Sequence, residues 1–290
     1  MSDAFNVLNH GLVRLVDHMG NDLSIVRSAR VSYDAEWRTG EDAGKDAKLI
    51  NYLLKNRHTS PFEQVKFTFE VKAPIFIFRQ WHRHRTWSYN EVSARYSQLP
   101  EEFYVPELEQ ITTQHSSNKQ MRTDEQNEHA QEMQNAIFRQ CTEAFDTYKK
   151  LIEDGYPREL ARSVLPVGTY SHMFASVDLH NLFHFLMLRL HPHAQYEIRV
   201  FAEAMLKLIE PIVPVAVEAF NKIRKEIEGT KLMREAAKKM KGDRWKYDSS
   251  SERIDVYDSS DEFGVYSLDF DSPDNAKPLC DMINAAKGEF

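Results

Sequence analysis

Between Val65 and Tyr96 the sequence passes from one kind of structure to another without a break. Val65, Phe67, Phe69 and Val71 alternate with Lys66, Thr68, Glu70 and Lys72, the period of two that buries one face of a β-strand. Pro74, whose ring sets φ close to the helical value, then opens a helix at Ile75-Phe76-Ile77-Phe78. That helix is expected to carry Phe78, Gln80 and Arg83 out of the core into Arg79-Gln80-Trp81-His82-Arg83-His84-Arg85-Thr86-Trp87-Ser88-Tyr89-Asn90-Glu91-Val92-Ser93-Ala94-Arg95-Tyr96. Four arginines, two histidines and two indoles stand here against a single carboxylate, Glu91. Guanidinium forks hold phosphate through paired N–H donors, and indole and imidazole faces stack on flat heterocycles, so the stretch suits a nucleotide or dinucleotide. A solvated basic helix face is the plain alternative. It fits less well, because the polar residues follow directly on an apolar run.

Arg83-His84-Arg85, seven residues and then Ser93, with Ser88-Tyr89-Asn90-Glu91 and Arg95-Tyr96 around them, resemble the signature of the flavin-dependent thymidylate synthases. Three further blocks are similar and in the same order: His58-x-Ser60-Pro61-Phe62-Glu63, Pro157-Arg158-Glu159-x-Ala161-Arg162-x-x-Leu165-Pro166, and Leu188-Arg189 followed by His193-Ala194-Gln195-Tyr196-Glu197-Ile198. The resemblance runs from Gly11 to Phe220. It implies reductive methylation of dUMP to dTMP, with FAD as cofactor, NADPH as reductant and 5,10-methylenetetrahydrofolate as carbon donor, in a homotetramer whose active sites are shared between subunits.

The same resemblance distributes the site residues. FAD falls to Arg83, His84 and Arg85 with Ser60 and Glu91, and dUMP to Gln80, Trp81, His82 and Arg83, to Glu91, Val92, Ser93, Ala94 and Arg95, and to Arg162 and Arg189. The chemistry is compatible: Ser93 and Arg95 offer a hydroxyl and a guanidinium to a phosphate, and Glu91 can accept a sugar hydroxyl. Each residue also has a plainer reading. Ser60-Pro61-Phe62-Glu63 reads as a capping box with proline at the first helical position. Ser93 has no Ser-His-Asp pattern around it, and Arg162 by pattern alone is a surface charge. Arg189 stands in the last turn before Pro192, where a cation complements a helix dipole, although it interrupts the apolar Leu186-Met187-Leu188 and Leu190. The resemblance makes it catalytic: a guanidinium held against N3 of uracil favours the ring anion.

On this helix the chain departs from the family pattern. Many members have Asn-x-Arg and then Asn facing the flavin, where this sequence has Asp178-Leu179-His180 and His184. Asp178 is also a good N-cap, and His180 and His184 have the i, i+4 spacing of a helical metal pair. With no third ligand nearby in sequence, no metal is expected.

No Gly-x-Gly-x-x-Gly and no Gly-Lys-Ser/Thr phosphate loop occurs among the ten glycines, so side chains would have to hold FAD. The two cysteines are far apart; Cys141 reads as a helix core position and Cys280 lies near the end. Neither suits a thiol that adds to C6 of uracil, which leaves ring polarisation and a reduced flavin. The rival reading is a non-enzymatic nucleotide- or RNA-binding protein that uses the Arg/Trp cluster for stacking.

The net charge of −7 is uneven: residues 248–290 hold 11 Asp/Glu against 3 Lys/Arg, leaving 33 acidic and 34 basic residues in 1–247. A neutral body with a local arginine cluster favours a small anion over nucleic acid. The expected organisation is a catalytic domain over 1–228 and an acidic, weakly ordered extension over 229–290. With no run of about 18 apolar residues and no secretion-type start, the expected location is cytoplasmic, away from membranes. A helix is expected from Gln126 to Ile152 with Ala130, Met133, Ile137, Cys141, Ala144, Tyr148 and Leu151 inward. Others are expected over Asp178–Leu190 and within Ala194–Ile227, with a strand over Thr169–Val177. Strands and helices that alternate irregularly, without βαβ repeats, give α+β: an antiparallel sheet packed with long helices.

Overall fold

The computed structural model describes residues 4–119, 121–239, 244–248, 253–257 and 266–269, and the chain divides into two compact units, Met1–Asn221 and Lys222–Phe290. In the first unit β1 (Ala4–Val7), β2 (Gly11–Met19), α1 (Asp22–Val31) and α2 (Ala43–Lys55) precede β3 (Lys66–Pro74), α3 (Ile75–Trp81) and β4 (Ser88–Glu91). A hairpin, β5 (Thr112–Gln114) and β6 (Arg122–Gln126), leads to α4 (Ala130–Glu153) and the single turn α5 (Arg158–Ala161). Then come β7 (Tyr170–Asp178), α6 (Leu179–Arg189), α7 (Tyr196–Ile209) and α8 (Pro214–Lys239), the last running across the unit boundary. In the second unit β8 (Arg244–Asp248), β9 (Arg253–Tyr257) and β10 (Tyr266–Asp269) form an antiparallel sheet. The weak order expected of the acidic extension falls largely on residues outside those described. The architecture is α+β.

The main sheet has the antiparallel order β1-β2-β3-β7-β4. Register follows the hydrophobic alternation. Phe67, Phe69 and Val71 pair with Val177, Ala175 and Met173, all buried on one face, where α6 and α7 contribute Leu182, Phe185, Phe201 and Met205 to the same core. The opposite face is polar: Thr68 meets Ser176 hydroxyl to hydroxyl at 2.9 Å, and Glu70 takes Arg14 on one oxygen and His172 at 2.8 Å on the other. Gly11 is demanded by close approach, since a Cβ there would meet the Val7 carbonyl at 2.3 Å and the Phe201 ring at 3.0 Å. At the start of α8 the unpaired Val215 and Ala216 N–H groups donate to the two carboxylate oxygens of Asp22, at 2.9 and 3.0 Å, tying α8 to the start of α1.

Three expectations shift. Pro74 is the last residue of β3 and the N-cap of α3, one place before the first helical turn, because its own position pairs with Tyr170 in the sheet. Gln126 closes β6, so α4 begins at Ala130. Within α4, Met133 and Ile137 remain 42% and 36% exposed, while Phe145 joins Cys141 and Tyr148 in a small core with Phe103 and Ala161. Only the later turns of α4 have that partner surface to pack on.

Candidate active site

The strand-to-helix transition at Pro74 aims α3 so that the signature begins where the helix ends. His82 caps α3 by donating its N–H to the Phe78 carbonyl at 2.8 Å, and His84 N–H returns to the Trp81 carbonyl at 2.9 Å, turning the chain. Both indoles face inward. Trp81 is 0% exposed and stacks on Phe185 at 4.8 Å; Trp87, 6% exposed, lies 5.2 Å from the same ring and parallel to Tyr89. The expected use of indole faces as a platform for a heterocycle is therefore corrected: their large apolar area is satisfied by the core. The Tyr89 hydroxyl, which burial keeps protonated, donates to the His84 carbonyl at 2.9 Å with the Trp81 carbonyl at 3.2 Å, fastening the turn to β4.

Arg189 meets this turn from α6. Its Nε donates to His84 Nε2 at 3.1 Å and its Nη2 to the Gln80 carbonyl at 3.2 Å. The guanidinium in the last turn of α6 is thus turned onto the signature, and completing a helix dipole does not account for that geometry. Arg189 is half-buried and its basicity is lowered by desolvation. His84, 7% exposed, has its edge on Phe185 at 4.9 Å. Burial, then the charges of Arg189 and His184, lower its pKa from 6.5 to about 4. Since the folded value lies below the unfolded one, this group's contribution to stability is complete above pH 6.5, declines on acidification to about pH 4 and is constant below. Acid titration of folding should show a component of at most about 3 kcal/mol in that window, absent from His84→Gln; unchanged acid sensitivity in the variant would contradict it.

Around this anchored core lie exposed cations. Among the described residues the guanidinium groups of Arg83, Arg85 and Arg162 have no hydrogen-bond or ion-pair partner, and all three are exposed. Arg162 is the cap of the one-turn α5 and opens a 3₁₀ turn, so it does not lie within a longer apolar helix. Arg95 is exposed and pairs with Glu159 at 3.5 Å. Its N–H also approaches the Ser93 hydroxyl at 3.3 Å, so Ser93 and Arg95 share one turn. Val92 is exposed and Ala94 buried. Glu91, at the end of the edge strand β4, accepts the Ser171 hydroxyl at 2.5 Å. Ser60 is exposed and caps nothing: a 3₁₀ turn follows Pro61, and it is Thr59 whose hydroxyl reaches Glu63, at 3.2 Å. The expected capping box is absent because no α-helix begins there.

On α6 the expected N-cap is present. Asp178 accepts from Asn181 N–H at 2.9 Å and from its side-chain amide at 2.7 Å. His184 is exposed, with its ring 6.0 Å from His84, and His180 is partly buried one turn away. Among the described residues no group of three or more His, Cys, Asp or Glu side chains is arranged to hold a metal ion.

Sequence reasoning missed several supports. Gln195 accepts the Gln80 side-chain amide at 2.5 Å, Ser171 holds Glu91, and Tyr89 fastens His84. Tyr89 and Gln195 each carried a signal, their places in the signature flank and in the last block, whereas Ser171 carried none; the pairings of Gln195 and Ser171 join positions 115 and 80 residues apart. A cleft of about 480 Å³ beside Gln195 is lined by Gln114, Arg122, His193 and Arg199, and a second of about 730 Å³ by Phe76, Tyr104, Met133 and Glu197. Buried Glu197 accepts from Tyr104 at 3.0 Å and from Arg122 at 3.2 Å, tying the hairpin to α7.

The family model for thymidylate synthase complementing protein matches residues 14–215. A flavin-dependent thymidylate synthase of Treponema denticola is 49% identical over 229 residues, 78% of this chain and 84% of the relative. One from Thermus thermophilus is 48% identical over 237 residues, 81% of this chain and 84% of the relative. The solved UMP/dUMP methylase PolB of Streptomyces cacaoi bound with 5-Br dUMP superposes with a TM-score of 0.68 at 38% identity, over 75% of this chain and 97% of that one. With a family match across nearly the whole first unit, and the signature folded around Arg189, the chain belongs to the thymidylate synthase complementing protein family, that of the flavin-dependent thymidylate synthases.

Proposed function

We propose that this chain is an FAD-dependent methyltransferase that converts dUMP to dTMP, with 5,10-methylenetetrahydrofolate giving the carbon and NADPH the reducing equivalents. The observation that carries the reading is Arg189, a half-buried guanidinium fixed at Nε and Nη2 on the signature turn. A desolvated, oriented cation stabilises a uracil ring anion far better than a solvated one. Arg95 and Ser93, sharing one turn, suit the phosphate, and Glu91 suits a sugar hydroxyl. Burial of both indoles weighs against the stacking rival, whose aromatic platform is occupied by the core.

The donor set fits FAD. Arg83 and Arg85 are exposed and uncommitted among the described residues, as a diphosphate held without a glycine cradle requires. Ser60, His84, Glu91, Asp178, His180 and His184 complete the proposed cofactor contacts. When bound, FAD supplies the redox chemistry of the reduction. The protein's own part is to orient dUMP, hold its phosphate and favour the N3 anion. The catalytic body is residues 1–228. The resemblance to the family implies a homotetramer with the site shared between subunits, and that is the assembly we propose. Among the described residues no helix is long and apolar enough to cross a membrane, and the proposed location is cytoplasmic.

The test is direct. Purified protein should carry a flavin absorbance band and form dTMP from dUMP, methylenetetrahydrofolate and NADPH. A colourless protein that retains oligonucleotides and forms no dTMP would overturn the proposal. In the proposed reaction no thiol takes part: Cys141 is buried in the small core and burial raises its pKa, which disfavours the thiolate, while Cys280 lies outside the described residues. The Cys141→Ala/Cys280→Ala double variant should keep turnover within about threefold of wild type. Loss of turnover in a variant of normal circular dichroism would reinstate a cysteine nucleophile.

A further inference from the structure

We infer that His84 is a positioning residue for Arg189, a neutral acceptor that sets the plane and direction of the guanidinium used on the substrate. The inference rests on the proposed role of Arg189. A guanidinium has donors only, so the Nε–H of Arg189 that points at His84 Nε2 requires a lone pair there and places the imidazole proton on Nδ1. The second anchor, Nη2 to the Gln80 carbonyl, removes rotation about the first. Nη1 has no partner among the described residues and remains for a ligand. Two anchored nitrogens and one open one suit a side chain that must meet a planar ring edge in a single orientation.

The acceptor itself is built in. The His84 ring lies edge-on to Phe185 of α6, and its main chain is held by the Tyr89 hydroxyl of β4 and by the Trp81 carbonyl. The titratable and charged groups around it are Arg189 and His184 of α6, Tyr89 of β4, and Arg83 and Arg85 beside it on the turn. Nearly all that charge is positive or potentially so, which favours a neutral imidazole. Protonation would remove the acceptor and set like charges 3.1 Å apart. A residue that serves only as a flavin contact has no need of that geometry.

The test separates orientation from cofactor binding. His84→Gln carries an amide oxygen to roughly the place of Nε2, while His84→Leu keeps bulk and removes the acceptor. His84→Leu is expected to lower kcat per bound flavin about a hundredfold, beyond any loss of flavin content, with the KM for dUMP changed by less than about threefold, and His84→Gln to restore at least about tenfold of the loss. If His84 acts through Arg189, adding His84→Leu to Arg189→Lys should reduce kcat no further, since coupled residues are not additive. Losses that multiply would overturn the inference, as would activity falling only in proportion to flavin content. Should His84→Leu not fold, His84→Asn replaces it: its oxygen falls short of Arg189, and activity equal to that of His84→Gln would contradict the positioning role. Full turnover in Arg189→Lys would sink the reading of Arg189 itself. An inactive Arg189→Lys beside an active His84→Leu would sink the present inference alone.

Discussion

Arg189→Lys is expected to lower kcat by a factor of about 10² to 10³ while the protein keeps its flavin absorbance and melts close to the wild type. Lysine preserves the charge and the helix-end position, so any benefit to the helix dipole survives. It cannot preserve the geometry. Arg189 uses Nε on His84 and Nη2 on the Gln80 carbonyl, and these two anchors point a third nitrogen in a defined direction. An ammonium on a flexible stem satisfies one such acceptor at a time, and a buried lysine loses its proton more readily than an arginine. The measurement is single-turnover conversion of dUMP at saturation, read beside the flavin spectrum and thermal melting. A lowered melting temperature with unchanged turnover would return Arg189 to a structural role.

Mixing Arg95→Ala with Arg189→Ala subunits, each inactive alone, should restore about one quarter of wild-type sites if every site takes Arg95 from one chain and Arg189 from another. The fraction follows from random assembly, because a working site needs the intact residue from both donors and each has an even chance of supplying it. Activity would thus rise from near zero to a measurable fixed fraction. Within one chain Arg95 is held by Glu159 on the surface and Arg189 by the signature turn, so the two cations have separate supports. The check is activity after subunit exchange, with hybrid formation verified by mass. Exchanged hybrids that stay inactive would contradict this division of labour, and an active monomer at nanomolar concentration would overturn sharing altogether.

Much of this was legible from local pattern. The alternation from Val65 to Val71 marked β3 and its buried face, and Asp178 marked the start of α6, because strand register and helix capping depend on neighbours two to four residues away. Pattern failed where the partner surface is distant. Met133 and Ile137 have the spacing of core positions, yet the small core lies beneath later turns of α4. Ser60-Pro61-Phe62-Glu63 has the letters of a capping box, but only a 3₁₀ turn follows before β3 begins at Lys66, and no α-helix forms. Trp81 and Trp87 were grouped with the arginines by sequence proximity and separated from them by burial.

By itself the sequence determined the elements, the antiparallel α+β class, the ordered signature blocks and the absence of a glycine cradle or suitably placed cysteine pair. These depend on residue type and short spacing. Tertiary structure alone decided which of those residues act together: that His84 is an acceptor for Arg189, that Tyr89 and Phe185 hold His84 in place, that Ser171 engages Glu91, and that Gln195 meets Gln80. Those pairings join α3 and the signature turn to α6, β7 and the loop before α7, across as many as 115 residues. Directional hydrogen bonds need angles and ångström-scale distances, which only the packed sheet and helices supply.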